Sequence, residues 1–154
     1  MLENYKKHVA ERAEQNIPPL PLDADQTSEL IELLKKDHQE SDFLLDLLKE
    51  RVPAGVDQAA YVKAAFLADI TTGKASSPYI TKIDAVKILG TMLGGYNIQP
   101  LIECLKDNEL AEAAAHVLSR TLLIFDAFNE IFELSKTNEH AKKVVEEWAN
   151  ATWF

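Results

Sequence analysis

The sequence predicts an all-α fold, an antiparallel array of about eight helices in a single domain of residues 1–154. Three observations support this prediction. Apolar residues recur at helical spacing nearly everywhere, and no segment alternates in the manner of a half-buried strand. The composition, 47% hydrophobic and 27% charged, is typical of a globular chain. The connections between the helices are short, which favours antiparallel neighbours.

The first two predicted helices are separated by a proline-rich segment. The apolar face of the first helix consists of Leu2, Tyr5, Val9 and Ala13. This helix stops before residues 16–21, where three prolines fix φ and require extended backbone. Asp23 begins the second helix, and Gln26 stands three residues later as a reciprocal cap.

Capping residues also mark the next three helices. Ser41 is predicted to cap the third helix and Asp57 the fourth, with Gly73 following the end of the fourth. Thr81 and Asp84 have the spacing of a capping box for the fifth. The predicted inward residues are Phe43, Leu44, Leu47 and Leu48 on the third helix, Ala59, Val62, Phe66 and Ile70 on the fourth, and Ile83, Val86, Leu89 and Leu93 on the fifth.

The last part of the chain is predicted to hold three helices. A short helix runs from Ile98 to Lys106, a turn follows at residues 107–109, and a long helix starts at Ala111. The inward stripe of the long helix is Ala114, Val117, Leu118, Thr121, Phe125, Phe128 and Phe132. The last helix is predicted to turn Ala141, Val144, Val145 and Trp148 inward.

One helix pair in this region resembles a single HEAT repeat. Residues 100–107 form a proline-led helix, and residues 113–118 form an alanine-rich partner whose small side chains let two helices approach closely. Leucine-rich segments at residues 30–36 and 44–50 are similar to residues 101–107. Any amphipathic leucine helix has this pattern, so a true internal repeat and a chance likeness both remain open.

Charge and cysteine content restrict the class of protein. The chain has 16 Lys and Arg against 25 Asp and Glu, which gives a net charge of −9 and a pI near 4.9. An acidic domain repels phosphate backbones, so nucleic-acid binding by this chain alone is disfavoured. The single cysteine forms no internal disulfide and favours a cytoplasmic location. No apolar run has the length of a membrane span, and no signal peptide is recognisable.

The stretch GTMLGGYNIQP, residues 90–100, has two interpretations. Its G-x-x-x-x-G spacing is that of a phosphate-binding loop, but such a loop needs a strand before it and Lys-Ser/Thr after it. Here a predicted helix precedes it, and Tyr96 and Asn97 follow. We therefore interpret it as a joint between helix pairs, in which Gly94 and Gly95 end one helix with left-handed backbone and Asn97 caps the next, with Pro100 in its first turn.

The other motifs in the sequence predict no catalytic or metal-binding site. The four histidines are far apart in the sequence and lack further ligands at metal spacing, and His116 is interpreted as solvated. Cys104 is interpreted as a small buried hydrophobe. The P-x-x-P match at residues 18–21 is read as a spacer packed on the domain in preference to an SH3 ligand. No catalytic, cofactor-binding or metal-binding residue is predicted.

Four stretches carry a resemblance to a known family. They are residues 1–12, MLENYKKHVAER; residues 43–67, FLLDLLKERVPAGVDQAAYVKAAFL; residues 89–102, LGTMLGGYNIQPLI; and residues 148–154, WANATWF. In these stretches, and over essentially all 154 residues, the chain resembles the N-terminal HEAT-like domain of the bacterial aconitate hydratase B family. The resemblance implies a HEAT-like α-solenoid fold.

The resemblance also implies that the chain is the N-terminal part of a longer enzyme. Family members continue into a swivelling domain and catalytic domains that interconvert citrate and isocitrate through cis-aconitate and dehydrate 2-methylisocitrate. Those domains hold a [4Fe–4S] cluster on three cysteines. No catalytic or cluster-binding residue of the family maps onto residues 1–154, which are expected to carry no cofactor. The implied partners are the remaining domains of the same chain, a second copy, other metabolic enzymes and, for the cluster-free enzyme, messenger RNA.

Two functional hypotheses follow. The first is a non-catalytic interaction and scaffold domain of an aconitase, which contributes to protein–protein contacts, dimerisation and access to the active site. The second is a free-standing helical regulatory or RNA-binding protein; a reading frame that continues past Phe154 would distinguish the first from it. The large apolar residues at the end of the sequence favour the first hypothesis. The residues predicted to make interdomain or packing contacts are Gly94, Gly95, Tyr96, Asn97, Trp153 and Phe154.

Overall fold

A computed structural model of the chain describes residues 1–121, 124 and 126–152. The predicted all-α class is confirmed: in these residues the regular structure is helical, with one isolated bridge between Ser77 and Ile80. The helices are α1 (Leu2–Glu14), α2 (Ala24–Leu34), α3 (Ser41–Asp46), α4 (Gln58–Thr72), α5 (Lys82–Leu89), α6 (Ile98–Cys104), α7 (Ala111–Leu118), α8 (Ala127–Leu134) and α9 (Glu139–Ala149). A π-helical turn, Leu47–Arg51, directly follows α3.

Most of the predicted helix starts are confirmed. Asp23 and Gln26 form a capping box on α2, and Thr81 and Asp84 form one on α5. The Asp57 side chain accepts a hydrogen bond from the backbone N–H of Ala60 at the start of α4. Gly73 ends α4 in left-handed backbone with φ of 77°.

A helix forms at α3 and Leu44, Leu47 and Leu48 are buried as predicted, but the predicted Ser41 cap is wrong. Ser41 is the first helical residue, the capping position falls on Glu40, and neither side chain caps the helix. Glu40 instead forms an ion pair with Lys6 of α1. The tertiary position of this segment, and not a local cap, therefore sets where α3 begins.

The single long helix predicted from Ala111 through Phe132 is also wrong. The structure has two helices, α7 and α8, because α7 ends at Leu118. Hydroxyls and a guanidinium saturate its last carbonyls: Ser119 Oγ and Arg120 Nη1 donate to His116 O, and Thr121 Oγ1 donates to Val117 O. Local bonds of this kind compete with helix continuation. The predicted stripe position Phe125 lies outside the described residues.

The break changes which side chains face the core. Ala114 and Leu118 are buried as predicted, whereas Phe128 and Phe132 are exposed. On α5, Val86 and Leu89 are buried, but Ile83 is exposed and Leu93 lies beyond the helix end and is also exposed. The predicted inward orientation is therefore wrong for Ile83, Leu93 and both phenylalanines. It is confirmed on α9 for Ala141 and Val144.

α4 is the central helix. It packs against both α2 and α5, and more than half of its 15 residues are buried. The buried residues of α4 are Ala59, Ala60, Lys63, Ala64, Phe66, Leu67, Ile70 and Thr71. The core is continuous from α1 to α9, and each large apolar side chain buried in it stabilises the fold by about 1.5–3 kcal/mol relative to exposure.

The second half of the chain packs on α7. This alanine-rich helix contacts α5, α6 and α9, and α8 packs against α9. The proline-led helix α6 and its alanine-rich partner are therefore neighbours, as the sequence predicts. Within the part of the chain that the structure describes, no helix is long and apolar enough to cross a membrane.

The proline-rich segment packs on the domain, as predicted, but its first residue, Asn16, is not extended: its backbone is left-handed with φ of 55°. Arg12 Nε donates to Pro18 O at 2.6 Å, and the backbone N–H of Leu20 donates to His8 Nε2 at 2.9 Å. Arg51 connects this segment to α1: its guanidinium donates to Tyr5 Oη and to a carbonyl of the proline segment, and its own carbonyl accepts from the Leu22 N–H at 2.8 Å.

Candidate interaction surface

The glycine stretch connects α5 to α6, but the individual glycines differ from their predicted roles. α5 ends at Leu89, and Gly90 at its C-terminus has right-handed backbone with φ of −63°. Gly95 is left-handed with φ of 96°, yet it lies six residues past the helix. The prediction that Gly94 and Gly95 end the helix is therefore wrong. The backbone reverses inside the loop and not at the helix end.

Asn97 also differs from its predicted role. It occupies the capping position of α6, but its side chain makes no cap hydrogen bond. Its Nδ2 instead donates to Leu89 O at 2.8 Å and to Met92 O at 3.1 Å, so the side chain closes the preceding helix. Asn97 is almost fully buried, and among the described residues Oδ1 has no hydrogen-bond partner. Pro100 lies in the first turn of α6 as predicted.

Close packing between two loops explains the need for glycine. A Cβ on Gly94 would lie 2.0 Å from Gly55 O, and a Cβ on Gly90 would lie 2.7 Å from the Val117 side chain. The backbone N–H of Leu93 donates to Ala54 O at 2.8 Å, which joins the same two loops. Residues 52–57 and 90–97 therefore hold each other in place.

The joined loops present an exposed apolar surface. Val56 and Leu93 are 74% and 73% exposed, and Tyr61 and Tyr96 are exposed beside them. Tyr96 Oη donates to Val56 O at 3.0 Å, and the two tyrosine rings meet edge to face at 5.4 Å. We call these four side chains, Val56, Tyr61, Leu93 and Tyr96, the loop patch. Exposed clusters of large apolar residues mark interaction sites on folded proteins.

A second exposed apolar cluster lies on α8 and α9. Phe128 stacks on Phe132 at 6.2 Å and on Trp148 at 5.8 Å between ring centroids. Trp148 Nε1 donates to Leu118 O at 3.1 Å, which fixes α9 to the end of α7. We call Phe128, Phe132 and Trp148 the aromatic patch. Lys136 lies 5.6 Å from the centre of the Phe132 ring, so one edge of this patch carries a cation.

The structure brings together four of the six residues predicted to make contacts. Gly94, Gly95, Tyr96 and Asn97 occupy one loop, and Tyr96 belongs to the loop patch. Trp153 and Phe154 lie outside the described residues, and the interdomain role of all six stays a prediction. Sequence reasoning missed Val56, in the neighbouring loop, and Tyr61, on α4, because both meet Tyr96 only through tertiary contacts.

The described residues contain no group of three or more His, Cys, Asp and Glu that could hold a metal ion. Cys104 is buried, as predicted, and burial raises the pKa of its thiol above the ordinary value. A cluster that needs three thiolates does not fit a chain with one cysteine. His116 is exposed, and its Nδ1 lies 3.2 Å from Arg120 Nη1.

These observations define an all-helical domain with two exposed apolar patches. The chain belongs to the family described as the aconitate B N-terminal domain, whose sequence model matches residues 4–154. It is 58% identical over 156 residues to aconitate hydratase B of Escherichia coli strain K12, and 55% identical over 157 residues to aconitate hydratase B of a Synechocystis strain. Aconitate hydratase B of Helicobacter pylori is 48% identical over 155 residues.

This chain is much shorter than the relatives that it matches. The alignments cover 99–100% of this chain but 18% of each of these relatives. The chain therefore spans less than a fifth of the length of the curated relatives that it matches, and it corresponds to their N-terminal domain.

Proposed function

We propose that this chain is a non-catalytic interaction and scaffold domain of an aconitate hydratase. The loop patch is the observation that carries the proposal. Its four side chains include two tyrosines, a residue type enriched at the energetic centres of protein interfaces. Tyr61 lies on α4, and the two loops that carry the other three side chains are joined by a backbone hydrogen bond, so little conformational entropy is lost when a partner binds.

The proposed partner is the remainder of a longer chain of the same family. Relatives extend far beyond the region matched here, and a fixed apolar patch on a domain next to them is suited to interdomain packing. In this proposal the interconversion of citrate and isocitrate, the dehydration of 2-methylisocitrate and the [4Fe–4S] cluster all belong to that remainder. The enzyme as a whole would be a cytoplasmic hydro-lyase, and this domain would shape access to its active site.

The proposal is tested by binding in trans. The 154-residue chain is titrated by calorimetry with the remaining polypeptide of the parent enzyme. We expect saturable binding, and we expect the paired change Val56→Ser and Leu93→Ser to weaken it at least tenfold, because both side chains lose most of the apolar surface that they bury in the complex. Ile83→Ser is the matched control, since Ile83 is an exposed apolar residue outside the loop patch.

Two outcomes would contradict the proposal. One is turnover of citrate or cis-aconitate by the purified 154-residue chain, which would make it an enzyme in its own right. The other is binding that the loop-patch variant and the Ile83→Ser control weaken equally. Sedimentation of the chain alone separates binding to the remaining domains from association with a second copy.

A further inference from the structure

A cavity of about 560 Å³ opens where three segments meet. The segments are the end of α5, the glycine stretch and the end of α7. The walls are mainly apolar and include Met92, Ile98, Val117 and the glycines at positions 90 and 95. Small-molecule sites have volumes of roughly 300–1,000 Å³, are mainly apolar and carry a few placed polar groups. The dimensions of this cavity are those of a ligand site.

The charge around the cavity is opposite to that of the whole chain. Two cationic side chains, Lys87 and Arg120, line it together with His116, and no Asp or Glu does so among the described residues. This is notable in a chain with 25 carboxylates and a net charge of −9. The local charge therefore favours an anionic ligand over a cationic one.

Arg120 is the cation that belongs to this cavity alone. Its Nη1 donates to His116 O at 3.0 Å and to Ser119 Oγ at 3.3 Å, which holds the guanidinium at the end of α7. No salt bridge to Arg120 or Lys87 forms within the described part of the chain. Lys87 also borders a smaller neighbouring cavity that Glu50 and Asp84 line, so its charge is shared between the two.

Asn97 fixes one wall of the cavity, because its Nδ2 joins the carbonyls of Leu89 and Met92. Its amide cannot be turned over without loss, because Nδ2 donates to two carbonyls and a reversed amide would place oxygen against oxygen there. Oδ1 is thus the atom that lacks a partner among the described residues. Oδ1 is enclosed by the protein, so Asn97 fixes the shape of the wall and offers no group to a ligand.

We propose that this cavity binds a small organic carboxylate that carries an apolar ring. The ring packs on the partly exposed side chains of Val117 and Thr121. The carboxylate pairs with Arg120, whose planar guanidinium matches the geometry of a carboxylate. This function is separate from the loop patch, although Leu93 borders both surfaces.

Indole-3-acetate is a probe with both features, and indole-3-acetamide is its neutral match. The 154-residue chain is suitable for the measurement because its core is continuous from α1 to α9. We expect calorimetry to show at least tenfold tighter binding of the acid than of the amide. We also expect the acid to shift the backbone amide resonances of Gly90, Gly95 and Thr121. Equal affinities, or shifts confined to the aromatic patch, would overturn the proposal.

Arg120→Gln tests the cation directly, because it keeps the length of the side chain and removes its charge. We expect this variant to lose the preference for the acid over the amide, and Lys87→Gln to reduce it. Lys142→Gln on α9 is the matched control: it removes one exposed positive charge outside the cavity and should keep the full preference. A preference that survives Arg120→Gln and Lys87→Gln together refutes the assignment.

The same titration is then repeated with a full-length protein that contains this domain. Tighter binding of the acid there as well supports a ligand site in the assembled enzyme. Loss of binding in the full-length protein overturns the proposal, since the cavity would then be covered by another part of the same polypeptide.

Discussion

Lys63 is buried although its residue type predicts exposure. It lies on α4 between predicted core positions, and only 1% of its surface is exposed. Burial lowers the pKa of its ammonium to about 8, while the negative charge of Glu50 acts in the opposite direction. Sequence patterns place lysine on solvated faces, whereas tertiary packing around α4, which contacts both α2 and α5, buries this one.

The pKa of Lys63 makes stability depend on pH in the alkaline range. Below pH 8 both the folded and unfolded chains hold the proton, and folding bears the full cost of burying the charge. Between pH 8 and 10.5 the folded chain loses the proton first, so stability rises with pH. The shift corresponds to about 3 kcal/mol. We expect Lys63→Met to be more stable than the natural chain at pH 7.

Urea unfolding of both proteins from pH 7 to 10.5 checks this prediction. The difference in unfolding free energy should shrink as the pH rises, because the natural chain no longer buries a charge. Titration of tyrosines and other lysines affects both proteins and cancels in the comparison. A difference that stays constant with pH would show that Lys63 is not titrating in the folded chain.

Two glycines that face one another respond differently to the same change. Gly94→Ala should destabilise the fold by about 3 kcal/mol, because the new Cβ would overlap the Gly55 carbonyl. Gly55→Ala is the matched control, since a Cβ there meets none of the described atoms within 4 Å. Denaturant unfolding measures both. Equal losses would mean that the two loops are not in close contact.

Among the helices, start signals are reliable where the cap is local. The boxes at Asp23 and Thr81 need only the helix itself, and both were predictable from the sequence. Ser41 has the same residue preference but fails, because the chain enters α3 from a segment that Glu40 ties to α1. The division between α7 and α8 is equally hidden, because the apolar spacing continues across it.

This difference between caps is measurable. Asp57→Ala removes the side chain that accepts from the Ala60 N–H and should cost about 1 kcal/mol of stability. Ser41→Ala should change stability by no more than a few tenths, since no cap bond is lost. Thermal unfolding of both variants measures the two losses of stability. A loss at Ser41 as large as that at Asp57 would contradict the structure.

For the whole molecule, net charge and exposed apolar surface have opposite effects on self-association. At pH 7 the net charge of −9 keeps copies apart, but near the pI of about 4.9 this repulsion vanishes. We expect light scattering to show reversible association near pH 5. The paired change Phe128→Ser and Phe132→Ser, which removes most of the aromatic patch, should reduce it. Association of equal extent at pH 7 would contradict this view.

The sequence predicted the fold class and the glycine joint but not the surface that the joint supports. Periodicity reports which residues share one helix face, so the all-α fold and the burial of Ala141 and Val144 on α9 follow from it. The loop patch depends on contacts between residues about 40 positions apart, and the cavity depends on where α7 ends. The local spacing of apolar residues encodes neither the contacts between distant residues nor the position at which α7 ends.

Arg51 gives the N-terminal region an influence on distant surface. Its side chain holds α1 and the proline segment, and its backbone leads directly into residues 52–57, which support Val56. Arg51 therefore connects the first helix to the loop patch. Displacement of α1 from the domain would therefore move residues 52–57 and separate Val56 from Tyr96, so the N-terminal helix affects the shape of an exposed patch that it does not itself form.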